Sequence, residues 1–419
     1  MTSLRILIVA EHASLRFGGE ALLPVHYFRV LRARGIETWM LCHERVAEEL
    51  RAAFPHDHDR LLFVPDSPSQ QALWHWAGDK PRLVLNAAEA VTHMVTQAAQ
   101  RKVARQIVRD KKIDVVHEPT PVSPVQPSST FDVGAPVIIG PMNGGLDYPD
   151  GFAKMEGHVQ RAGFRAARAV AGALNVAVPG KRKAALLLYA NERTRKALPL
   201  PVRHVRALEM VENGVDLARF SARKVVSPDP GPVRFAFVGR LIDLKAVDLL
   251  IEALGRIAGE HDVSLDVFGD GTERPKLEAL TEKLGLSERV RFHGFVAQAD
   301  LPAKLLETDG LILPSLRECG GAVVLEAMSL GLPVIATDWG GPPDYVDEGC
   351  GILIKPDSPQ QLVADLADAM RKLAGSPELR ERLGARGYDK VRESFDWERK
   401  VDRMIELYES VARRSQNVA

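Results

Sequence analysis

Three cysteines in 419 residues, Cys42, Cys319 and Cys350, are too few and too scattered for a disulfide framework. Their number is odd and no C-x-x-C or metal-ligand spacing joins them, which points to a reduced, cytoplasmic chain. Long apolar runs are missing too. No stretch reaches the roughly 18 apolar residues of a membrane span. The first run, Leu4 to Ala10, is closed by Glu11 and His12. It is too short for the core of a secretory signal and reads as a buried strand. The loop after it lacks G-x-G-x-x-G, so the dinucleotide fingerprint of a dehydrogenase is absent. From Val233 onward no DxD pair of the kind used by metal-dependent transferases is evident. Net charge is zero, with 55 Lys+Arg against 55 Asp+Glu, but the balance hides an asymmetry. Up to Val226 there are 31 basic and 22 acidic residues, leaving 55−31 = 24 and 55−22 = 33 for the rest. A basic first half and an acidic second half suggest two domains with different partners. Apolar content of 46% and charged content of 26% are ordinary for a globular chain of two or three domains.

What is present centres on Pro314 to Thr337, PSLRECGGAVVLEAMSLGLPVIAT. An apolar strand, Leu311 to Leu313, runs into a loop carrying Glu318, Cys319, Gly320 and Gly321. A helix is expected from about Ala322 to Leu330, stopped by Gly331 and Pro333, and Val334 to Ala336 forms the next strand. Strand, glycine-bearing loop, helix and strand make a βαβ unit. Its loop presents backbone N–H groups at a helix start, a setting that suits phosphate. Glu318 and Glu326 flank that start. Carboxylates repel phosphate but accept hydrogen bonds from hydroxyls, so the pattern fits a sugar and a ribose on either side of a diphosphate. Glutamates at this spacing also occur on ordinary exposed helix faces. Gly320 and Gly321 beside a good helix former argue for a close approach of backbone to a ligand.

The stretch resembles the E-x7-E signature of the retaining GT-B glycosyltransferases, specifically glycosyltransferase family 4. The resemblance implies an α/β GT-B fold: two Rossmann-like domains facing across a donor/acceptor cleft, with a C-terminal helix crossing back. By the same resemblance Glu318 meets the donor sugar, the amides of Cys319 to Ala322 meet sugar and diphosphate, and Glu326 holds the ribose. Gly239, Arg240 and Lys245 match the family's G-R-x4-K segment, which binds the donor diphosphate. On the residues alone, two cations on one strand-to-helix loop can clamp a diphosphate or be plain surface charges. If they clamp it, side chains and helix dipole supply the positive charge a metal would give, so no metal and no cofactor are expected. Gly269, and Phe295 with Val296, end the strands Val263 to Phe268 and Val290 to His293; the family places the base near these turns.

The first half is less explicit. A helical pattern runs from about Ala21 to Arg34, and Thr38 to Cys42 reads as a strand. Gly18 and Gly19 form either a plain turn or the glycine-rich first loop that in the family lies near the donor phosphates. Trp74, His75 and Trp76 suit core or interface packing, or an acceptor cleft. Leu83 to Arg109 reads as one or two helices. Asp114 to His117 is a strand, and DVVHEP resembles the family segment ending in a His beside the donor sugar, which makes His117 the catalytic candidate; alone it reads as a structural histidine. Gly144 and Gly145 sit on an expected acceptor-side loop. Lys154 to Arg206 holds twelve Lys+Arg and two acidic residues, with Arg161, Arg165 and Arg168 at helical spacing and Leu186 to Leu188 interleaved. Such a segment suits a solvated helix face, an anionic acceptor, or peripheral contact with an anionic membrane on its inner face. No motif for nucleic acid accompanies the charge.

The expected layout is a first domain over 1–220, joined by 396–419, a linker over 221–232 and a donor domain over 233–395. The implied reaction moves a hexosyl group, with retention, from a nucleoside diphosphate sugar to a hydroxyl of a carbohydrate or lipid-linked acceptor, in polysaccharide or glycolipid assembly. An epimerase or phosphorylase on the same fold, or a non-catalytic nucleotide-sugar-binding protein, are the alternatives.

Overall fold

A computed structural model describes residues 4–16, 19–78, 80, 82–153, 155, 170–220, 222–224 and 232–416. The chain divides into two compact units. Unit 1 comprises Met1–Gly145, Gly163–Glu212 and Val401–Ala419; unit 2 comprises Leu146–Ala162 and Asn213–Lys400.

Unit 1 is built on seven parallel strands: β1 (Arg5–Val9), β2 (Glu37–His43), β3 (Leu61–Val64), β4 (Val115–Glu118), β5 (Val137–Met142), β6 (Leu186–Tyr189) and β7 (Ala207–Glu209). Their order in the sheet is β3-β2-β1-β4-β5-β6-β7. Unit 2 holds β8 (Val233–Val238), β9 (Val263–Phe268), β10 (Val290–Gly294), β11 (Gly310–Leu313), β12 (Val334–Thr337) and β13 (Gly351–Ile354), in the order β10-β9-β8-β11-β12-β13. Both sheets start in the middle, grow one way for three strands, then return to the first strand and grow the other way. This is Rossmann order, and it leaves a reversal point between β1 and β4 in unit 1 and between β8 and β11 in unit 2. The strands form where the sequence runs continuously apolar, because helices cover both faces of a parallel sheet. Ile6, Leu7 and Ile8, and Leu311, Ile312 and Leu313, are all fully buried. The covering helices are one-sided: Val247–Ile257 buries Val247, Leu250, Ile251, Leu254 and Ile257, the spacing of a single helix face. Two Rossmann-like units of this kind are the architecture of a GT-B fold.

Several expectations for the first half need correction. Leu186 to Leu188 do not face a membrane; they are β6 and 0% exposed. Lys181 is buried as well, its Nζ donating to the carbonyls of Ser123 at 2.7 Å and Pro124 at 3.0 Å. Arg161, Arg165 and Arg168 lie outside the described residues, so the basic face they would form is not described. No described helix is long and apolar enough to cross a membrane. The segment after Gly145 packs within unit 2: the Trp339 indole N–H donates to the Asp147 carbonyl at 3.0 Å, and Arg317 lies over the Tyr148 ring. Arg82–Lys111 is one helix. Most of the expected linker falls outside the described residues, and the division between units falls earlier, between Glu212 and Asn213.

Candidate donor site

In unit 2 the reversal point brings two loops together: one leaves β8 and carries Gly239 to Lys245, the other leaves β11 and carries Pro314 to Gly321. The amide of Leu316 donates to the carbonyl of Leu244 at 2.9 Å, which ties them. Lys245 closes a short 3-10 turn, Asp243–Lys245, before the helix Val247–Ile257. Its Nζ forms an ion pair with the Glu318 carboxylate, both side chains about 15% exposed. Ser315 Oγ stands 3.5 Å from the same carboxylate oxygen. The sequence placed Lys245 toward diphosphate and Glu318 toward sugar; the fold sets them against each other. Arg240 is exposed and has no side-chain partner among the described residues.

The helix Ala322–Ser329 starts after Gly321, whose φ of +77° is left-handed and which has no side chain to cap the helix. The Val324 amide donates to the Gly321 carbonyl at 2.9 Å, which leaves the amides of Ala322 and Val323 without an intrahelical acceptor. The loop before it is pinned from behind. The amide of Gly341 donates to the Glu318 carbonyl at 2.7 Å. A Cβ at Gly341 would lie 2.2 Å from the Cys319 carbonyl oxygen, and one at Gly340 2.1 Å from that of Glu318. Only a glycine pair lets these backbones meet, which explains the G-G of this segment. Asp344 follows in a 3-10 turn, Pro342–Asp344. Cys319, exposed on this loop, is in no disulfide.

Glu326 lies about one turn into the helix, half-buried, and accepts from the Gln298 amide at 2.6 Å. Burial pushes its carboxyl up to about 7, against the pull of that hydrogen bond and of the Arg219 charge. Gln298 was not singled out in the sequence. Its place two residues after Val296, on the turn the family resemblance assigned to the base, was the only signal. On the β8 and β9 side, the Gly239 amide donates to the Phe268 carbonyl at 3.0 Å, and a Cβ at Gly269 would lie 1.9 Å from the Gly239 carbonyl oxygen. The turns after β8 and β9 thus touch backbone to backbone. After β10 comes Phe295, an aromatic ring 74% exposed, followed by Val296.

The unit 1 candidates stand differently. Gly18 lies outside the described residues. Gly19 has φ +67° with open space around its missing side chain, so backbone conformation, not close packing, calls for glycine there. His117 is 0% exposed in β4. Its Nε2–H donates to the Gly140 carbonyl at 2.7 Å, so Nδ1 accepts from the Tyr408 hydroxyl at 2.7 Å. With both nitrogens engaged inside the core, His117 holds strands and the last helix together; the catalytic role expected of it does not fit this position.

Gly239, Arg240, Lys245, Gly269, Glu318 to Ala322 and Glu326 therefore all stand at the carboxyl ends of one sheet, around one reversal point. Residues 219–390 match the family model for glycosyl transferases group 1. This segment, less than half of the chain, resembles the glycosyl transferases group 1. The group 1 segment has relatives of known name. A D-inositol 3-phosphate glycosyltransferase of Salinispora tropica is 36% identical over 230 residues, 49% of this chain and 46% of that protein. An alpha-D-kanosaminyltransferase of Streptomyces kanamyceticus is 31% identical over 214 residues, 48% of this chain and 54% of that protein. The chain spans about half the length of the curated relatives it matches. Among solved structures, HepE of Anabaena in complex with UDP has a TM-score of 0.66 at 19% identity, over 97% of this chain and 100% of that one. Sucrose-phosphate synthase from Thermosynechococcus elongatus has a TM-score of 0.68 at 19% identity, over 97% and 98%. At these identities the likeness concerns the fold.

Proposed function

We propose that this protein is a retaining glycosyltransferase that moves a hexosyl group from a nucleoside diphosphate sugar to an acceptor hydroxyl. The observation that carries the reading is the union, at the β8/β11 reversal point, of an uncapped helix start, the exposed Arg240, and the Lys245–Glu318 pair. The bond between the anomeric carbon and the diphosphate oxygen breaks, the acceptor oxygen bonds to that carbon, and the acceptor proton is released. Negative charge grows on the diphosphate as it leaves. Arg240, Lys245 and the first amides of Ala322–Ser329 supply positive potential there, without a metal. Glu318, held by Lys245, presents its remaining acceptor positions to sugar hydroxyls, and Glu326 faces the ribose hydroxyls. Retention follows the family resemblance. Assembly of polysaccharide or glycolipid is the setting such a reaction fits.

Lys245→Ala removes the cation and frees the Glu318 charge, and Glu318→Ala removes the orienting carboxylate. Each is expected to lose at least about 100-fold in turnover, the scale of a lost electrostatic contact to a developing charge. Hydrolysis or transfer from UDP-glucose and other nucleotide sugars, followed by product analysis, measures it. Near-wild-type turnover in either variant overturns the reading. Release of a sugar phosphate without nucleotide assigns a phosphorylase instead. UDP is the first nucleotide to try, since the HepE structures hold it.

A further inference from the structure

Unit 1 has a cavity of its own, roughly 450 Å³, at the carboxyl ends of β1 and β4. That is the reversal point of its sheet, the place where open α/β sheets take ligands. The polar part of the wall is one-sided in charge. Glu11, Glu20 and Glu118 line it together with His12 and His93, and no lysine or arginine is among the lining residues described.

The carboxylates are held in place. Glu118, 3% exposed, accepts from Ser128 Oγ at 2.6 Å. Glu20, at the open side, accepts from the Val122 amide at 2.9 Å. Glu11 is bonded to His93 Nδ1, while the side-chain amides of Gln97 and Gln126 reach His93 Nε2. Amide nitrogens only donate, so Nδ1 carries the histidine proton and Glu11 receives it. A carboxylate offers about four acceptor positions, so these contacts leave acceptors for a ligand. Two cations that approach these carboxylates are not among the lining residues. Arg45 approaches Glu11 at 3.5 Å, and Lys181 is spent on backbone carbonyls. Burial pushes the Glu118 carboxyl up and the Lys181 amine down to about 7. Among the described residues no group of His, Cys, Asp and Glu side chains is placed to hold a metal ion.

We infer that this cavity binds the acceptor as an uncharged or aminated polyol ring, whose hydroxyl or amino groups donate to Glu11, Glu20 and Glu118, and that it excludes phosphorylated sugars. The word acceptor rests on the glycosyl-transfer reading above; the preference for hydrogen-bond donors over anions does not.

Saturation-transfer NMR on the full chain tests it with three probes: methyl α-D-glucoside, glucosamine and glucose 6-phosphate. The first two are expected to bind and the phosphate ester to bind at least about tenfold more weakly, the size of one charge-assisted contact. Glu20→Gln and Glu118→Gln are expected to weaken glucosamine at least about fivefold, part of such a contact. Glu118 is deep in the core, so Glu20→Gln carries the test if the other variant fails to fold. Equal or tighter binding of glucose 6-phosphate, no binding of any probe, or an unchanged affinity in Glu20→Gln overturns the inference. The melting shift given by UDP, recorded on the same samples, reads unit 2 separately. A UDP shift without polyol binding defeats this inference alone. Polyol binding without a UDP shift defeats the donor reading and leaves the cavity preference standing.

Discussion

Glu326 is a carboxyl that the fold keeps half protonated near neutrality. Its ionisation is raised from about 4.5 to about 7, chiefly by burial. Between those values the folded chain binds more protons at this site than the unfolded chain does. Stability therefore falls as pH rises through the window, and the loss is complete above 7. Glu326→Gln cannot ionise. Between pH 5 and pH 8 the wild type is expected to lose on the order of 1 kcal/mol more than this variant, a reduced share of the full linkage because the side chain is partly solvated. Denaturant melts at both pH values measure the difference, and parallel losses would contradict the shift. Ligand binding runs the other way. In the proposed ribose-binding role the ionised form would accept two hydroxyls better than the acid, so UDP affinity is expected to rise from pH 6 to pH 8 in the wild type and to rise less in Glu326→Gln. The sequence showed Glu318 and Glu326 because their spacing is local. It did not show that Glu318 meets Lys245, 73 residues away, because that contact exists only once β8 and β11 are neighbours in the sheet. His117 was misread for a related reason. The sequence placed it at a strand end, but its burial depends on Tyr408, 291 residues further on.

At the scale of elements, the donor loop owes its shape to a second loop pressed beneath it. Gly340 and Gly341 stand where any side chain would strike the carbonyls of Glu318, Cys319 and Gly320. Gly341→Ala must therefore push the Glu318-to-Gly321 loop outward and turn its amides away from the diphosphate position proposed above. UDP affinity is expected to fall at least about tenfold, the cost of roughly one lost charge-assisted hydrogen bond. Gly259→Ala is the control, because a Cβ there meets nothing within 4 Å. Titration calorimetry with UDP reads both, and equal affinities would show that the loop does not need this support. The βαβ unit around the loop was plain in the sequence, since apolar runs of strand length alternate with a helical stretch and glycines. β6 was not. Its three leucines sit among lysines and arginines, and charge composition outweighed a short apolar run until the sheet showed it to be core.

Over the whole molecule, the last helix, Trp397–Gln416, is where the division of the chain can be tested. From Val401 onward it belongs to unit 1, and it buries Val401, Met404, Tyr408 and Val411. Tyr408 is wholly buried and donates its hydroxyl to His117 in β4. Tyr408→Phe keeps the ring and takes away that donor, so the histidine nitrogen stays in the core without the hydroxyl it accepts from. The expected cost is about 1 to 3 kcal/mol, that of a buried polar group deprived of a partner. If the two units are separate cooperative bodies, the cost falls on one of them. Amide hydrogen exchange followed strand by strand should show lower protection in β1, β4 and β5 and unchanged protection in β8, β9 and β11. Equal losses in both sheets would mean that the units unfold as one, and stability changes in unit 1 would then also act on the donor site. Loss confined to unit 1 would let each half be varied by itself: donor residues in unit 2 read by UDP, and the Glu20 and Glu118 cavity in unit 1 read by sugar probes. The division of charge in the sequence, basic up to Val226 and acidic beyond, fits two bodies with different ligands.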